Sequence, residues 1–375
     1  MSLRECTLGE VVRFQRGHDL PDQDRKPGDV PVIGSAGQNG WHNEAKAKGP
    51  GVSIGRSGAS IGKVTYTPTD YWPHNACLYV TDFLGNNPRF VYYFLKTKDL
   101  TSLNSGAAQP SLNRNFVHTV QVRVPGANEQ AAIVSILATY DDLIENNRRR
   151  IALLEEAARM LYREWFIHFR FPGHEHIKIV DGLPEGWERK TLGDVADTNR
   201  ESYQAKGLPD EITYIDISSV SQGRILSKTR LLSNDAPGRA RRKAKSGDII
   251  WSNVRPNLRA YALVLEPSET DVVSTGFTVL SAREVPFTWL YMFVTTDQFV
   301  GHLANHATGA GYPAVRPDDF ERAVVVVPPK TLMAHFHESI EPNFQLISKL
   351  EQQNQKLARA RDLLLPRLMS GEIAV

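Results

Sequence analysis

Two loops carry side chains suited to phosphate or to the edges of bases. Gly55–Lys63 (GRSGASIGK) sets glycines beside a lysine, as a phosphate-cradling loop does. A nucleoside-triphosphate cradle needs glycine where Ser57 stands and serine or threonine where Val64 stands, so that chemistry is excluded. A turn-rich loop against DNA fits better, with Arg56 and Lys63 as candidate phosphate contacts. At the similar place in the second half, Arg255, Asn257 and Arg259 follow the strand-like run Ile249-Ile250-Trp251. Arginine and asparagine are the residues that pair bidentately with guanine and adenine. A further candidate contact loop is formed by Gln109, Asn113 and Arg114 in the first half, and by Tyr312 and Arg316 in the second. Its plain alternative is a turn that positions the next strand. Arg239, Arg241, Arg242 and Lys243, extended by Lys245, make a basic run better suited to phosphates than to bases. Arg148-Arg149-Arg150 is a second such run. Solvated surface competes with DNA contact for every one of these cations.

Other chemistries lack their parts. His174/His176 and His335/His337 have a one-residue gap but no carboxylate or cysteine at ligand spacing, so no metal site is expected. Asn86-Asn87-Pro88-Arg89 lacks the second proline and the aromatic that an amino-methyltransferase motif requires, and reads as a turn opening a helix. No glycine-rich cofactor loop accompanies it, and no acidic pair followed by Glu-x-Lys suggests a nuclease. The chain is therefore expected to have no catalytic site and no cofactor of its own. Cys6 and Cys77 form no pairing framework and read as apolar fillers in a reducing compartment. With no apolar run of about 18 residues and no signal-like start, a cytoplasmic protein is expected. The net charge of +2 is nearly neutral, so the placement of charge informs more than its sum.

The elements that must position these loops come twice. Thr7-Leu8-Gly9-Glu10-Val11 recurs as Thr191-Leu192-Gly193-Asp194-Val195, and Ser105–Pro110 matches Thr308–Pro313. Each is followed by an alternating strand ending in proline, Val120–Pro125 and Val324–Pro328, and then by a long helical pattern. Recurrence of ordered landmarks over half the chain is a domain duplication. Each half is dense in short β-type runs with glycine or proline turns, interleaved with helices predicted at Pro88–Lys98 and Pro286–Val300. The expected class is α+β, with two similar mixed domains separated by two long helices.

The first long helix, about Asn128–Phe169, repeats Ile133, Tyr140, Asn147, Leu154, Leu161 and His168 every seven residues. A second line runs through Ile136/Leu137, Leu143/Ile144, Ile151, Ala157/Ala158 and Trp165. The second helix, Phe344–Met369, aligns Ile347, Leu350, Leu357 and Leu364, with Leu365 beside them. Pro342 is expected to separate His335–Glu341 as a shorter helix, and Pro366 to mark the end. Asn147 and Asn354 place polar groups on the seams, a device that fixes register. About forty residues at ~1.5 Å each make a rod of about 60 Å, too long to pack on one domain. A pseudo-twofold axis would pair the two as an antiparallel coiled coil, a dumbbell with a domain at each end.

Over essentially its whole length the chain resembles the specificity (S) subunits of type I restriction-modification systems. The resemblance rests on Ser57–Val64, Gly106–Pro110 followed by Val122–Gln130 (VRVPGANEQ), Ser274-Thr275-Gly276-Phe277, and the helix exits Leu161–Pro172 and Leu364–Ile373. It implies target-recognition domains at 1–127 and 173–329, with spacer helices at 128–172 and 330–375. Each domain would read one half of a split, asymmetric site in double-stranded DNA. The helices would set the spacing and dock two methyltransferase subunits, with motor-nuclease subunits joining for cleavage. S-adenosylmethionine, ATP and magnesium are then expected on those partners, in a bacterial or archaeal cytoplasm. Tyr312 in place of Gln109, and Trp251–Pro256 in place of the Ser-Gly loop, imply that the two domains read different half-sites. The alternatives are a coiled-coil scaffold without base readout and a standalone DNA-modifying enzyme.

Overall fold

Thr7 and Thr191 open the two halves with the same local device. The backbone N–H and Oγ1 of Thr7 both donate to Glu10 at 2.8 Å, and those of Thr191 donate to Asp194 at 2.8 Å. Leu8 N–H then reaches Val120 O, and Leu192 N–H reaches Ala323 O, both at 2.8 Å. These bonds continue a strand pair in each half: Leu3–Thr7 antiparallel to Gln121–Pro125, and Glu188–Thr191 antiparallel to Val324–Val327. Alternation decides the faces, since Val122, Val124, Val325 and Val327 are buried while Arg123 and Val324 face solvent.

A computed structural model describes residues 3–103, 111–204 and 207–375. Gln109 and the Ser105–Pro110 landmark lie outside the described residues. The chain divides into two units, Met1–Asn146 with Gln353–Val375, and Asn147–Gln352. Each boundary thus falls inside a long helix, and each unit combines a globular part with segments of both helices.

In unit 1 an antiparallel sheet has the order Arg13–Arg16, Cys77–Asp82, Gly51–Gly55, Val64–Thr67. Unit 2 repeats it with Ala196–Thr198, Phe277–Ala282, Ile249–Ser252, Tyr261–Leu263. Beside each lies a second sheet, three-stranded in unit 1 and four-stranded in unit 2, built on a parallel pair, Val30–Gly34 with Trp72–Pro73, and Glu211–Ile215 with Asp271–Ser274. Both also carry an antiparallel outer strand, Gly37–His42 or Thr229–Leu232.

Asn87 caps the helix Pro88–Lys96, its side chain accepting from Arg89 N at 2.9 Å and Phe90 N at 3.2 Å, so the Asn-Asn-Pro-Arg run is indeed a helix start. Phe90, Val91 and Phe94 enter a core with Val52, Ile54, Leu78 and Val80. The stretch expected as one helix from Pro286 to Val300 is two, Phe287–Val294 and Asp297–His306. Thr296 divides them because its Oγ1 accepts from Phe299 N at 3.2 Å and begins a new helix. Phe287–Val294 is apolar all round and correspondingly buried from Thr288 to Val294.

The first long helix runs Ala127–Tyr162 and closes with a wider π-turn, Arg163–Ile167. Among its buried and half-buried positions, Ile133, Leu137, Tyr140, Ile144, Asn147, Ile151, Leu154, Ala158, Leu161 and Trp165 follow one another at steps of four and three. That alternation of four and three is a heptad seam, and it settles each ambiguous pair in favour of the second member. His168 falls beyond the helical turn and is exposed. The π-turn gives consecutive Trp165 and Phe166 room to pack with Phe336.

The second helix runs unbroken from Lys330 to Ser370, so Pro342 does not split it and Pro366 does not end it. Each proline forfeits a backbone bond, at about 3 kcal/mol. Both are exposed, and the residues whose carbonyls they leave free, Glu338 and Asp362, are exposed too, so water can satisfy them. Burial of Phe336, Ile340, Phe344 and Ile347 around Pro342, and of Leu365, Leu368 and Met369 around Pro366, holds the helix together. Tertiary packing here overrides a local breaker.

Within unit 1, Ile133 and Leu137 share a core with Leu365, Leu368 and Met369. Arg361 pairs with Asp141, which also accepts from Tyr93 Oη at 2.5 Å. Burial works against the Arg361 charge, but Asp141 and Asp362 outweigh it and hold the guanidinium above its ordinary value. Within unit 2, Ile151, Ala158 and Tyr162 share a core with Phe336, Ile340, Phe344, Ile347 and Leu350. The start of one helix therefore meets the end of the other in unit 1, and the converse holds in unit 2. This is the antiparallel order expected.

Candidate nucleic-acid interface

The same segments converge in both units. In unit 1 they are the turn after Val30–Gly34, the loop Arg56–Lys63, and the chain from Ser111. Ser35 Oγ donates to Ser57 O at 2.9 Å, and Leu112 N donates to Arg56 O at 2.9 Å. Gly55 permits this approach, because an added Cβ would lie 2.2 Å from Ser60 O and 2.3 Å from Ser35 O. Arg56 is half-buried, its Nη2 donating to Ser111 Oγ at 3.2 Å and its Nη1 to Asn75 O at 3.4 Å. It acts as a strut between segments. Lys63 is exposed and has no acidic partner among the described residues. Asn113 caps the short helix Arg114–Thr119 by accepting from Asn115 N at 2.9 Å, while Arg114 stays exposed.

In unit 2 the counterparts are Ile217–Ser221, Asn253–Ala260 and Thr308–Arg316. Val315 N donates to Asn253 O at 2.9 Å, matching the Leu112–Arg56 bond of unit 1, and Arg255 N donates to Pro313 O at 2.7 Å. Arg255 and Arg259 both adopt left-handed backbone, with φ of 50° and 55°. The Arg255 guanidinium lies over the Tyr312 ring, 4.6 Å from its centroid, and its Nη2 donates to Gly311 O at 3.1 Å. Arg259 instead pairs with Asp297, whose carboxyl this hydrogen bond holds below its ordinary range. Asn257, Arg316 and Leu258 are exposed. A groove of about 400 Å³ opens here, lined by Ile217, Val220, Val254, Arg255, Leu258 and Tyr312 among others.

The basic run divides in two. Arg239 is exposed, and its carbonyl accepts from Thr275 N at 2.8 Å, next to Gly276, whose carbonyl accepts from Asn253 N at 2.9 Å. That chain of bonds ties Arg239 to the loop. Arg241, Arg242 and Lys243 are half-buried. Arg242 donates to Ser202 Oγ at 3.1 Å and burial pushes its pKa down; Lys243 covers the Tyr203 ring at 4.3 Å. Their first duty is to this fold.

Sequence reasoning missed the apolar member of the surface in unit 2, Leu258, which is 63% exposed and lines the groove. Nothing in a linear pattern marks an apolar side chain as facing water. Among the described residues, no cluster of histidine, cysteine and carboxylate side chains is disposed to hold a metal ion. Cys6 and Cys77 are buried and unbridged, and burial pushes the Cys77 thiol up to about 12.

Residues 3–156 match the family described as "Type I restriction modification DNA specificity domain". The MjaIX type I restriction enzyme specificity subunit of Methanocaldococcus jannaschii is 24% identical over 302 residues, covering 76% of this chain and 69% of that one. The HindI specificity subunit of Haemophilus influenzae is 21% identical over 362 residues, covering 76% of this chain and 77% of that one. The crystal structure of a type I restriction-modification S subunit from M. genitalium shares the fold, with a TM-score of 0.61 at 17% identity over 98% of this chain and 96% of that one. By its matching domain and its relatives, the chain carries a type I restriction modification DNA specificity domain over residues 3–156 and is similar to type I specificity subunits over 76% of its length.

Proposed function

We propose that this chain is the non-catalytic, DNA-reading subunit of a type I restriction-modification complex, each globular part reading one half of a split, asymmetric duplex site. The observation that carries this is the repeated convergence of equivalent loops bearing different side chains. Unit 1 offers Lys63 and Arg114 around the Arg56 strut; unit 2 offers Arg255, Asn257, Tyr312 and Arg316. One frame with two sets of contacts suits two different half-sites. The long helices set the spacing and dock two methyltransferase subunits, and motor-nuclease subunits complete the complex. S-adenosylmethionine, ATP and magnesium belong to those partners, in the cytoplasm where the DNA is.

The test is a genome-wide map of adenine methylation with and without the gene. Deletion should abolish methylation at a single split motif. An unchanged map from an expressed, assembled system would favour the scaffold reading, which the exposed arginines and the groove of unit 2 argue against.

Docking calls for apolar helix positions that stay accessible. Leu365 sits in the core of unit 1 and Leu161 packs against that of unit 2, so a charge at either acts on folding first. Leu153 and Met160, seven residues apart off the seam, are 71% and 57% exposed. Leu153→Glu with Met160→Glu should cut co-purification of the methyltransferase subunits at least about tenfold, two buried apolar contacts being worth about 1.5–3 kcal/mol each. The melting temperature of the chain should hardly move. Full retention of the partners would place docking elsewhere.

A further inference from the structure

This inference rests on the DNA-reading function proposed above and names a base for one side chain. We infer that Arg255 reads a guanine in the half-site of unit 2, with Tyr312 as the residue that positions its guanidinium.

Unit 2 presents two arginines from one loop, and their surroundings separate them. Arg259 is ion-paired with Asp297, so its charge is answered within the protein. Arg255 has no carboxylate partner among the described residues, and its side chain is exposed. Its guanidinium is nonetheless held. The Tyr312 ring lies against it at 4.6 Å, and Gly311 O takes one Nη2 hydrogen at 3.1 Å. Stacking removes rotamer freedom and holds the guanidinium against one ring face, which is the preparation a bidentate contact requires. Tyr312 is 74% exposed, so it serves no core; its ring packs against this arginine. The left-handed backbone at Arg255 is uncommon for a side chain of this kind, and the Arg255 N–H bond to Pro313 O locks it in place.

The neighbours decide between phosphate and base. A phosphate site gathers N–H groups and cations. The groove beside Arg255 is lined mainly by apolar side chains, Val254, Val220, Ile217 and the 63% exposed Leu258, with Ser218 and Ser221 on its wall and no second cation among the described residues. Apolar side chains beside an arginine suit the major-groove edge of a base pair, where guanine offers O6 and N7 and thymine offers its methyl group.

The experiment selects duplexes from a randomised pool with the assembled complex, comparing wild type with Arg255→Ala, Arg255→Gln, Tyr312→Phe and Tyr312→Ala. Wild type should yield a split motif with guanine at a fixed position in one half. Arg255→Ala should lower the preference for that guanine by roughly 5- to 150-fold, while the other half keeps its sequence and so reports a folded, bound complex. Arg255→Gln should shift the preference at that position from guanine toward adenine. Tyr312→Phe keeps the ring and should keep the guanine; Tyr312→Ala should weaken it. A guanine preference untouched by Arg255→Ala overturns the inference. So does a uniform loss across all sequences, which would make Arg255 a phosphate contact. If wild type selects no split motif, the DNA-reading function itself fails, a result distinct from a split motif indifferent to Arg255.

Discussion

Adding one heptad to both long helices should lengthen the unread gap of the DNA site by about three base pairs and leave both half-sites unchanged. Seven residues at ~1.5 Å add about 10 Å of helix, and B-DNA rises ~3.4 Å per base pair. The insertions belong after Asn147 in the first helix and before Asn354 in the second, where each unit boundary falls inside a helix. They must be made together. The seam alternates four and three from Ile133 to Trp165, so an insertion in one helix alone would slide its partner's apolar residues out of register. At the original spacing only one globular part could engage. Losing even three read base pairs at about 1–3 kcal/mol each lowers affinity at least about a hundredfold. Methylation mapping of the double insertion reads both numbers directly. A motif whose half-sites change while its gap stays constant would show that the helices do not measure distance.

The second large effect is on stability. Phe336→Ala should destabilise unit 2 by about 3–5 kcal/mol, the range for deleting a buried aromatic ring. Phe336 is fully buried and its ring meets Tyr162, Trp165 and Phe166, the last edge-to-face at 4.8 Å between centroids. The substitution therefore empties a place where both long helices meet the globular part of unit 2. For a unit of this size the melting temperature should fall by about 6–20 °C, since each kcal/mol moves it by ~2–4 °C. Calorimetry of the purified chain settles it, and a shift below about 2 °C would mean that the cluster repacks around the hole.

Why some of this was legible in the sequence and some was not follows from the range of the forces involved. The duplication could be read because its marks are local: Thr7 and Thr191 cap within three residues, and valines alternate along a strand. The seam was legible because periodicity survives in one dimension, and only depth of burial was needed to choose Leu137 over Ile136. Pro342 and Pro366 misled because a local penalty was weighed without the burial that offsets it. The contact surface was only half legible. Residue types pointed to Arg255 and Arg259 alike, and only the tertiary fold brings the Tyr312 loop to the first and Asp297, at the start of the helix Asp297–His306, to the second. Arg56 looked free in sequence because Ser111, its partner, is far along the chain.

The make-up of unit 1 also sets a timetable for the living chain. Ile133 and Leu137 leave the ribosome early, yet the side chains that cover them, Leu365, Leu368 and Met369, come more than two hundred residues later. At about 5–20 residues per second that is a wait of roughly 10–45 s with an apolar helix face uncovered. During synthesis the nascent chain presents a surface to which chaperones or a second nascent chain can bind. Closure of unit 1 becomes a signal that translation has reached Met369, and a ribosome that stops short releases a molecule whose first globular part lacks its lid.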